Sequence, residues 1–217
     1  MDDASSDAFI LANTAIASPP LVPEIRLRLA TAVVPMWQAT EHALQEIGVE
    51  PPYWAFCWPG SQALARLLLD NSEWVRGRKV LDLAAGCGVA AIAAARSGAD
   101  ATADDIDALA LRAIAMNAAL NDVAVGLRAG DILDGTPRAA WQVILAGDVC
   151  YQRPMAERCI GWLRSQAATG SEVLLADPGR AYLPCSGLTR VMQYKVPTSR
   201  DLEDRDIREC TIWRVLP

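Results

Sequence analysis

The chain has little of what several large classes of protein require. Its 217 residues include one histidine, His42, and six cysteines without a C-x-x-C pair. A metal site built from such ligands is therefore not expected, and the cysteines suit a reducing compartment. No apolar run approaches the roughly 20 residues of a membrane-spanning helix, and the acidic first residues are unlike a basic targeting peptide. These absences predict a soluble, cytoplasmic and monomeric protein without a metal or a membrane partner.

Positive charge is also scarce. Twenty Lys and Arg residues stand against 26 Asp and Glu residues, which gives a formal net charge of −6. Binding to a phosphate backbone normally requires a dense Lys/Arg surface, so nucleic acid is not an expected partner.

What the sequence does contain, from Lys79 onward, is an alternation of short apolar runs with helical segments. The predicted strands are 79–84, 100–104, 124–129, 142–147 and 171–176. The predicted helices are 89–97, 107–120 and 155–168. This alternation is typical of βαβ units in a parallel sheet. Two β-rich runs, 188–197 and 207–216, should close the sheet as an antiparallel pair, so we expect a doubly wound, Rossmann-like α/β sheet of seven strands.

Residues 1–75 have weaker patterns, and we interpret them as a short N-terminal extension or lid on a core of residues 76–217, within one globular domain. A short helix is expected around residues 8–12. Alternating Ile25, Leu27 and Leu29 predict a strand over 24–31. A helix should follow over 36–47, and Pro59 should open another that ends near Asp70.

A glycine-containing turn joins the first core strand to the following helix, in Val80-Leu81-Asp82-Leu83-Ala84-Ala85-Gly86-Cys87-Gly88. Such glycines let the backbone approach a ligand and direct a helix N-terminus at it. The turn also fits the dinucleotide fingerprint as Gly86-x-Gly88-x-x-Ala91, so nicotinamide or flavin binding remains open. Asp82 would repel a pyrophosphate but can accept hydrogen bonds around the ammonium of a methionine moiety. It therefore favours S-adenosylmethionine.

Carboxylates follow the next two strands. Asp105 is placed to accept hydrogen bonds from both ribose hydroxyls, and Asp107 is the expected N-cap of the next helix. The alternative is that Asp104, Asp105 and Asp107 only cap that helix. After the third strand, Asp131 is placed to reach an adenine amino group and Ile132 to pack on its ring, although a plain surface turn is an equally simple interpretation.

The fourth core strand ends in Gly147-Asp148-Val149-Cys150-Tyr151, beside the switch point where open α/β sheets bind their ligands. We expect Asp148 and Tyr151 to face the reacting group, the alternative being a helix cap and a packing aromatic. Upstream, Trp54, Phe56 and Trp58 are candidates to cover a cofactor or to contact a cation, with ordinary core packing expected for two of the three.

At these residues the chain resembles the seven-strand protein lysine methyltransferases of methyltransferase family 16, which share a D/E-x-x-F/Y motif after the fourth strand. The likeness covers residues 50–184. Within that family it is most similar to the enzymes that methylate the β subunit of electron transfer flavoprotein. This similarity is carried by Pro52-Tyr53-Trp54-Ala55-Phe56, Asp105-Ile106-Asp107 and Asp177-Pro178-Gly179-Arg180-Ala181-Tyr182-Leu183-Pro184.

The resemblance implies S-adenosylmethionine as cofactor, S-adenosylhomocysteine as product and the flavoprotein β subunit as substrate. The cofactor-binding residues that we predict are Trp58, Asp82, Ala84, Gly86, Gly88, Asp105, Ile106, Asp131, Ile132 and Gly147. Asp148 and Tyr151 would serve the target lysine, whose neutral amine attacks the sulfonium methyl group. One departure is Ala84, where many relatives have glycine and where a methyl group narrows the turn.

Other functions also fit parts of the sequence. The glycine turn suits a Rossmann oxidoreductase, but the chain lacks a plausible Tyr-x-x-x-Lys or histidine acid. Glu50-Pro51-Pro52-Tyr53 approximates the loop of permuted nucleic-acid amino-methyltransferases, against which the acidic charge argues. A methyltransferase acting on another protein or on a small-molecule amine, and a cofactor-binding module without catalysis, also remain.

Overall fold

A seven-stranded sheet forms the centre of the computed structural model, which describes residues 3–30, 52–135, 140–198 and 203–217. The helices are α1 (Asp3–Asn13), α2 (Pro59–Asp70), α3 (Val89–Arg96), α4 (Ala108–Leu120) and α5 (Arg153–Ala168). The strands are β1 (Thr14–Ala17), β2 (Leu27–Ala30), β3 (Lys79–Leu83), β4 (Asp100–Asp105), β5 (Gly126–Ala129), β6 (Val143–Gly147), β7 (Glu172–Asp177), β8 (Leu188–Pro197) and β9 (Ile207–Val215).

The order of the strands places the ends of β3 and β6 at a switch point. The seven-stranded sheet has the order β5-β4-β3-β6-β7-β9-β8. Strands β3 to β7 are parallel to their neighbours, whereas β9 is antiparallel to both β7 and β8. The chain leaves β3 toward β4 on one side and later returns to β6 on the other, so a crevice forms at the carboxyl ends of these strands. The predicted fold class is confirmed.

Helices cover both faces of the sheet. Val80, Leu145 and Leu174 point to the face where α2 and α3 pack, and their neighbours Leu81 and Ile144 point to the face covered by α5. Because both faces are buried, β6 is a continuous apolar run, and β3 is apolar except at the exposed Lys79 and at Asp82. These runs were the strongest structural signal in the sequence.

The N-terminal residues pack on the same core. Val22, Ile25 and Leu27 are fully buried in one cluster with residues of α2 and α3. Hydrogen bonds tie the β1–β2 hairpin and the residue before β2 to the end of α4, among them Arg28 N to Asn117 Oδ1 at 2.7 Å and Arg26 N to Asn121 Oδ1 at 3.0 Å. Described residues before 76 therefore share a core with the sheet, and the interpretation of residues 1–75 as a lid stays a prediction.

Several predicted boundaries were wrong for identifiable reasons. The strand predicted over 24–31 begins only at Leu27, because Ile25 N–H bonds to Val22 O in a preceding turn. Helix α1 begins at Asp3 rather than near residue 8, and β1 was not predicted at all. Helix α5 begins at Arg153, two residues early, because proline is favourable in a first helical turn. The helix predicted over 36–47 lies outside the described residues.

Three further findings concern features that the described residues lack. No helix in the described ranges is both long and apolar enough to cross a membrane. In the same ranges, no group of three or more His, Cys, Asp or Glu side chains is arranged to hold a metal ion. All six cysteines are free thiols, and Cys87, Cys150, Cys159 and Cys210 are buried.

Candidate active site

A cavity of about 440 Å³ opens at the carboxyl ends of β3, β4 and β6. Eight of the twelve site residues predicted from the sequence line it. These residues are Trp58, Ala84, Gly86, Asp105, Ile106, Gly147, Asp148 and Tyr151. The fold thus brings together side chains from four separate parts of the chain, as expected for residues at the ends of neighbouring parallel strands.

The other four predicted residues, Asp82, Gly88, Asp131 and Ile132, are not in the cavity wall. Asp82 lies beneath it, 3% exposed, and its Oδ2 accepts a hydrogen bond from Ala91 N at 2.9 Å. Asp131 binds Arg158 at 2.8 Å in a turn at the surface, the alternative left open for it by the sequence. Ile132 packs against the α5 side of the core. Asp82 therefore supports the cavity through α3, whose Ala91 N it binds.

The glycine turn after β3 depends on left-handed backbone. Ala84, Gly86 and Gly88 have φ angles of 52°, 54° and 78°. Gly86 N donates to Asp105 Oδ2 at 2.9 Å, which links the turn to the end of β4. A Cβ on Gly88 would lie 2.9 Å from Ile114 Cγ1 and Cγ2 of α4. Gly88 thus allows the close packing of α3 and α4, and Gly86 the exposure of backbone to a ligand.

Asn117 of α4 fixes this turn to the N-terminal hairpin. Its side chain is fully buried. Its Nδ2 donates to Cys87 O at 2.9 Å, and its Oδ1 accepts from Arg28 N at 2.7 Å. One amide therefore satisfies both the turn that faces the cavity and strand β2.

The left-handed conformation of Ala84 gives a first prediction. An L side chain at such a φ angle destabilises the folded chain by roughly 1–2 kcal/mol. Glycine removes this strain, and the strain exceeds the destabilisation that results from the greater conformational entropy of glycine in the unfolded chain. We expect Ala84→Gly to raise the free energy of unfolding by roughly 0.5–1 kcal/mol, measured by urea denaturation. Ala115→Gly in the middle of α4 is the matched control and should lower that free energy by about 1 kcal/mol. A loss of stability in both variants would contradict the strained turn.

Three carboxylates near the turn, Asp105 in the cavity wall and the buried Asp82 and Asp104, give the cavity an acidic floor. Burial raises the pKa of Asp82 to about 8, and Asp105 and Asp104 raise it further. Burial also raises the pKa of Asp105, and it raises that of Asp104 to about 6 against the opposing ion pair with Arg128 at 2.6 Å. A cationic ligand would relieve this repulsion, whereas a pyrophosphate would increase it.

The pKa of Asp82 predicts how stability depends on pH. Its ordinary value is 3.8 and its folded value about 8, so the unfolded chain loses this proton first as the pH rises. Stability therefore falls between about pH 4 and pH 8, by at most about 1.4 kcal/mol per unit. Asp82→Asn keeps an acceptor for Ala91 N and removes the titration. Urea denaturation between about pH 5 and pH 8 should show a steeper loss in the wild type than in Asp82→Asn; parallel curves would refute the shift.

Asp148 sits where β6, α2 and the turn after β7 meet. Its Oδ2 accepts from Gly60 N at 2.6 Å and Ser61 N at 3.3 Å, at the N-terminus of α2. Its Oδ1 faces Arg180 Nη2 at 3.3 Å. Burial raises the pKa of Asp148 to about 7, opposed by Arg180. A hydrogen-bond donor in the cavity would therefore reach Asp148 through Oδ1, in place of Arg180.

Close backbone packing holds α2 against this carboxylate. A Cβ on Gly60 would lie 2.5 Å from Asp148 Oδ2, and a Cβ on Gly147 would lie 2.5 Å from Ser61 Oγ. Asp148 itself has a φ angle of 58°, which aspartate and asparagine tolerate better than most residues. Glycine on both sides of the contact therefore positions the carboxylate at the cavity.

Aromatic rings form the opposite wall. The centroids of Tyr53 and Tyr151 lie 5.5 Å apart, and those of Tyr53 and Trp58 lie 6.2 Å apart. Tyr151 is 39% exposed, whereas Trp54 and Phe56 are at most 5% exposed and pack against Ile10 while also touching the cavity. The prediction that two of the three residues Trp54, Phe56 and Trp58 belong to the core is consistent with this packing.

Arg180 was not singled out as a site residue from the sequence, yet it lines the cavity beside Asp148. Asp177 Oδ1 holds the turn by accepting from Gly179 N and Arg180 N at 2.7 Å and 2.6 Å. Two signals were available: its place in the run 177–184 that carries the family resemblance, and its position just after β7, at the edge where β3, β4 and β6 also end.

Similarity to known proteins decides the family. A model of the methyltransferase small domain matches residues 54–147. The electron transfer flavoprotein β-subunit lysine methyltransferase of Xenopus laevis is 40% identical over 216 residues, which cover 97% of this chain and 87% of that protein. The Danio rerio protein of the same description is 42% identical over 214 residues, covering 95% and 81%. The chain belongs to this family of lysine methyltransferases.

A solved structure supports the same fold. The magnesium protoporphyrin IX methyltransferase of Synechocystis, crystallised with S-adenosylhomocysteine, superimposes with a TM-score of 0.50 at 14% identity, covering 71% of this chain and 80% of that one. At this identity the likeness concerns the fold alone. Family membership favours methyl transfer over the oxidoreductase that the glycine turn also suited.

Proposed function

We propose that the chain is an S-adenosylmethionine-dependent protein-lysine N-methyltransferase that acts on the β subunit of electron transfer flavoprotein. One observation carries the proposal. A single cavity combines an acidic floor under a glycine turn with a buried carboxylate, Asp148, and an aromatic wall. The named relatives share most of the chain's length, which supports the same acceptor.

The floor and the turn suit the cofactor. S-adenosylmethionine supplies an electrophilic methyl group on a positively charged sulfur. Asp82, Asp104 and Asp105 favour a ligand with positive charge, and Gly86 exposes backbone at the cavity wall. Asp105 would hold the ribose hydroxyls, and Ile106, 65% exposed, would cover the adenine. These residues therefore fit a sulfonium nucleoside.

The opposite wall suits the acceptor amine. A lysine has a reference pKa of about 10.4, so it must lose a proton before its nitrogen can attack. Tyr53 and Tyr151 would enclose the lysine side chain, and their rings would exclude water, which favours the neutral amine. Asp148 Oδ1 would accept a hydrogen bond from that amine and direct its lone pair at the methyl group.

Purified electron transfer flavoprotein provides the test. We expect its β subunit to gain methyl mass on incubation with enzyme and S-adenosylmethionine, and its α subunit to stay unchanged in the same mass spectrum. Calorimetry with S-adenosylhomocysteine should detect binding without any acceptor. Binding of the nucleoside with labelling of another protein in a cell extract would overturn the acceptor alone. No heat with either nucleoside would overturn the whole proposal.

A further inference from the structure

Four charged side chains form a continuous line behind the cavity. Arg180 Nη2 contacts both Asp148 Oδ1, at 3.3 Å, and Glu203 Oε1, and Arg180 Nη1 lies 3.2 Å from Glu203 Oε2. On the far side, Arg208 Nε donates to Glu203 Oε2 at 3.0 Å. The Asp148 and Glu203 side chains are 8% and 2% exposed, and those of Arg180 and Arg208 about one fifth. The order along this line is Asp148, Arg180, Glu203, Arg208.

The contacts of Arg180 are unequal. Its guanidinium makes two hydrogen bonds to Glu203 but a single long one to Asp148. The second oxygen of Asp148 is already bonded to the N-terminus of α2. An incoming group that displaces Arg180 from Asp148 Oδ1 therefore leaves the arginine paired with Glu203, and Asp148 keeps its hydrogen bonds to Gly60 N and Ser61 N.

We propose that Arg180 is the positioning residue for the acceptor amine. Before the substrate arrives, Arg180 favours the ionised form of Asp148. It then gives up Oδ1 to the amine and remains on Glu203, where its positive charge disfavours a second cation and thus selects the neutral amine. In the transfer, the nitrogen lone pair forms the new bond to carbon, the sulfur keeps the electron pair of the broken bond, and the methylated nitrogen later loses a proton to solvent. This proposal rests on the proposed function.

The charged and titratable groups that act on Asp148 come from several elements. Arg180 lowers its pKa, and Asp177 and Glu203 raise it. The thiols of Cys57, Cys150 and Cys210 also interact with it electrostatically, and their own pKa values are raised by burial first. Arg180 is the cation among these neighbours, so its removal should raise the pKa of Asp148.

Three variants separate positioning from a merely structural role. Arg180→Gln should lower kcat about tenfold or more and move the acidic limb of the kcat/KM profile to higher pH by about one unit. Arg180→Lys keeps the charge, so it should retain most of the wild-type kcat and keep the acidic limb near its wild-type pH. Arg208→Gln removes a guanidinium from the same Glu203 without touching Asp148, and should leave the limb in place. An Arg180→Gln profile of unchanged shape, or Arg180→Lys as impaired as Arg180→Gln, would overturn the proposal.

A readout without turnover keeps this test separate from the identity of the acceptor. Carbon-13 NMR of aspartate carboxyls, with Asp148→Asn to assign the signal, follows Asp148 in the enzyme alone. The signal should titrate at higher pH in Arg180→Gln than in the wild type and in Arg208→Gln. Equal midpoints in all three proteins would refute the action of Arg180 on Asp148, whatever protein the enzyme methylates.

Discussion

Replacing Asp148 with asparagine is expected to lower kcat by about 100-fold or more, the usual contribution of a positioned acid or base. Asparagine keeps an oxygen for Gly60 N and suits the left-handed backbone, but it removes the charge that attracts the amine proton. Transfer of labelled methyl groups measures the rate. Calorimetry with S-adenosylhomocysteine should give an affinity within about threefold of the wild type, because the proposed mechanism assigns Asp148 to the amine and not to the nucleoside.

Alanine at the same position provides a contrast. Asp148→Ala leaves Gly60 N without its acceptor, so it should also lower the free energy of unfolding by about 1–3 kcal/mol. Asp148→Asn should leave the free energy of unfolding close to that of the wild type, because asparagine still offers Gly60 N an oxygen. Retained turnover in either variant would remove Asp148 from the mechanism, and an equal loss of stability in both would show that the carboxylate serves the fold alone.

Gly60→Ala should have the largest effect on the fold. The new Cβ would meet Asp148 Oδ2 at 2.5 Å and Ala176 O at 2.6 Å, and neither the buried carboxylate nor the strand backbone can yield cheaply. We expect the free energy of unfolding to fall by about 2–3 kcal/mol, the upper part of the usual range for overpacking. Most of the activity should be lost as well. Thermal and urea denaturation measure the first, and methyl transfer the second.

Gly161→Ala is the matched control within the same chain. Gly161 lies in α5, and a Cβ there meets nothing within 4 Å. Alanine is the better helix former, so this variant should gain roughly 0.5–1 kcal/mol. A Gly60→Ala protein as stable as the wild type would show that α2 can move away from β6, and the geometry described for Asp148 would then be wrong.

The sheet could be predicted from residue 79 onward because its signal is local. Val143–Gly147 is buried on both faces, so the sequence itself is a short apolar run between polar residues. The N-terminal hairpin has no such signal. Strand β1 is four residues long and largely exposed, and its partner β2 lies beyond an intervening turn, so only the pairing defines it.

The candidate site could be predicted in outline for a related reason. Asp105 and Gly147 are the last residues of β4 and β6, Asp148 follows β6 directly, and parallel strands end at one edge of a sheet. The sequence does not indicate which of these side chains line the cavity and which are buried beneath it. Asp82 is as close to a strand end as Asp105 but lies under the turn, and Arg180 reaches the cavity only because Glu203 and Asp177 hold it there. Contacts between distant parts of the chain decide both positions.

The side-chain amide of Asn117 couples the backbone N–H of Arg28 to the turn that faces the cavity. Since one side chain joins Cys87 O to Arg28 N, tightening of the turn around a bound nucleoside should slow hydrogen–deuterium exchange at the Arg28 amide. Strand β2 would thereby serve as a natural sensor of occupancy, readable in the unlabelled enzyme and far from any group that takes part in the chemistry.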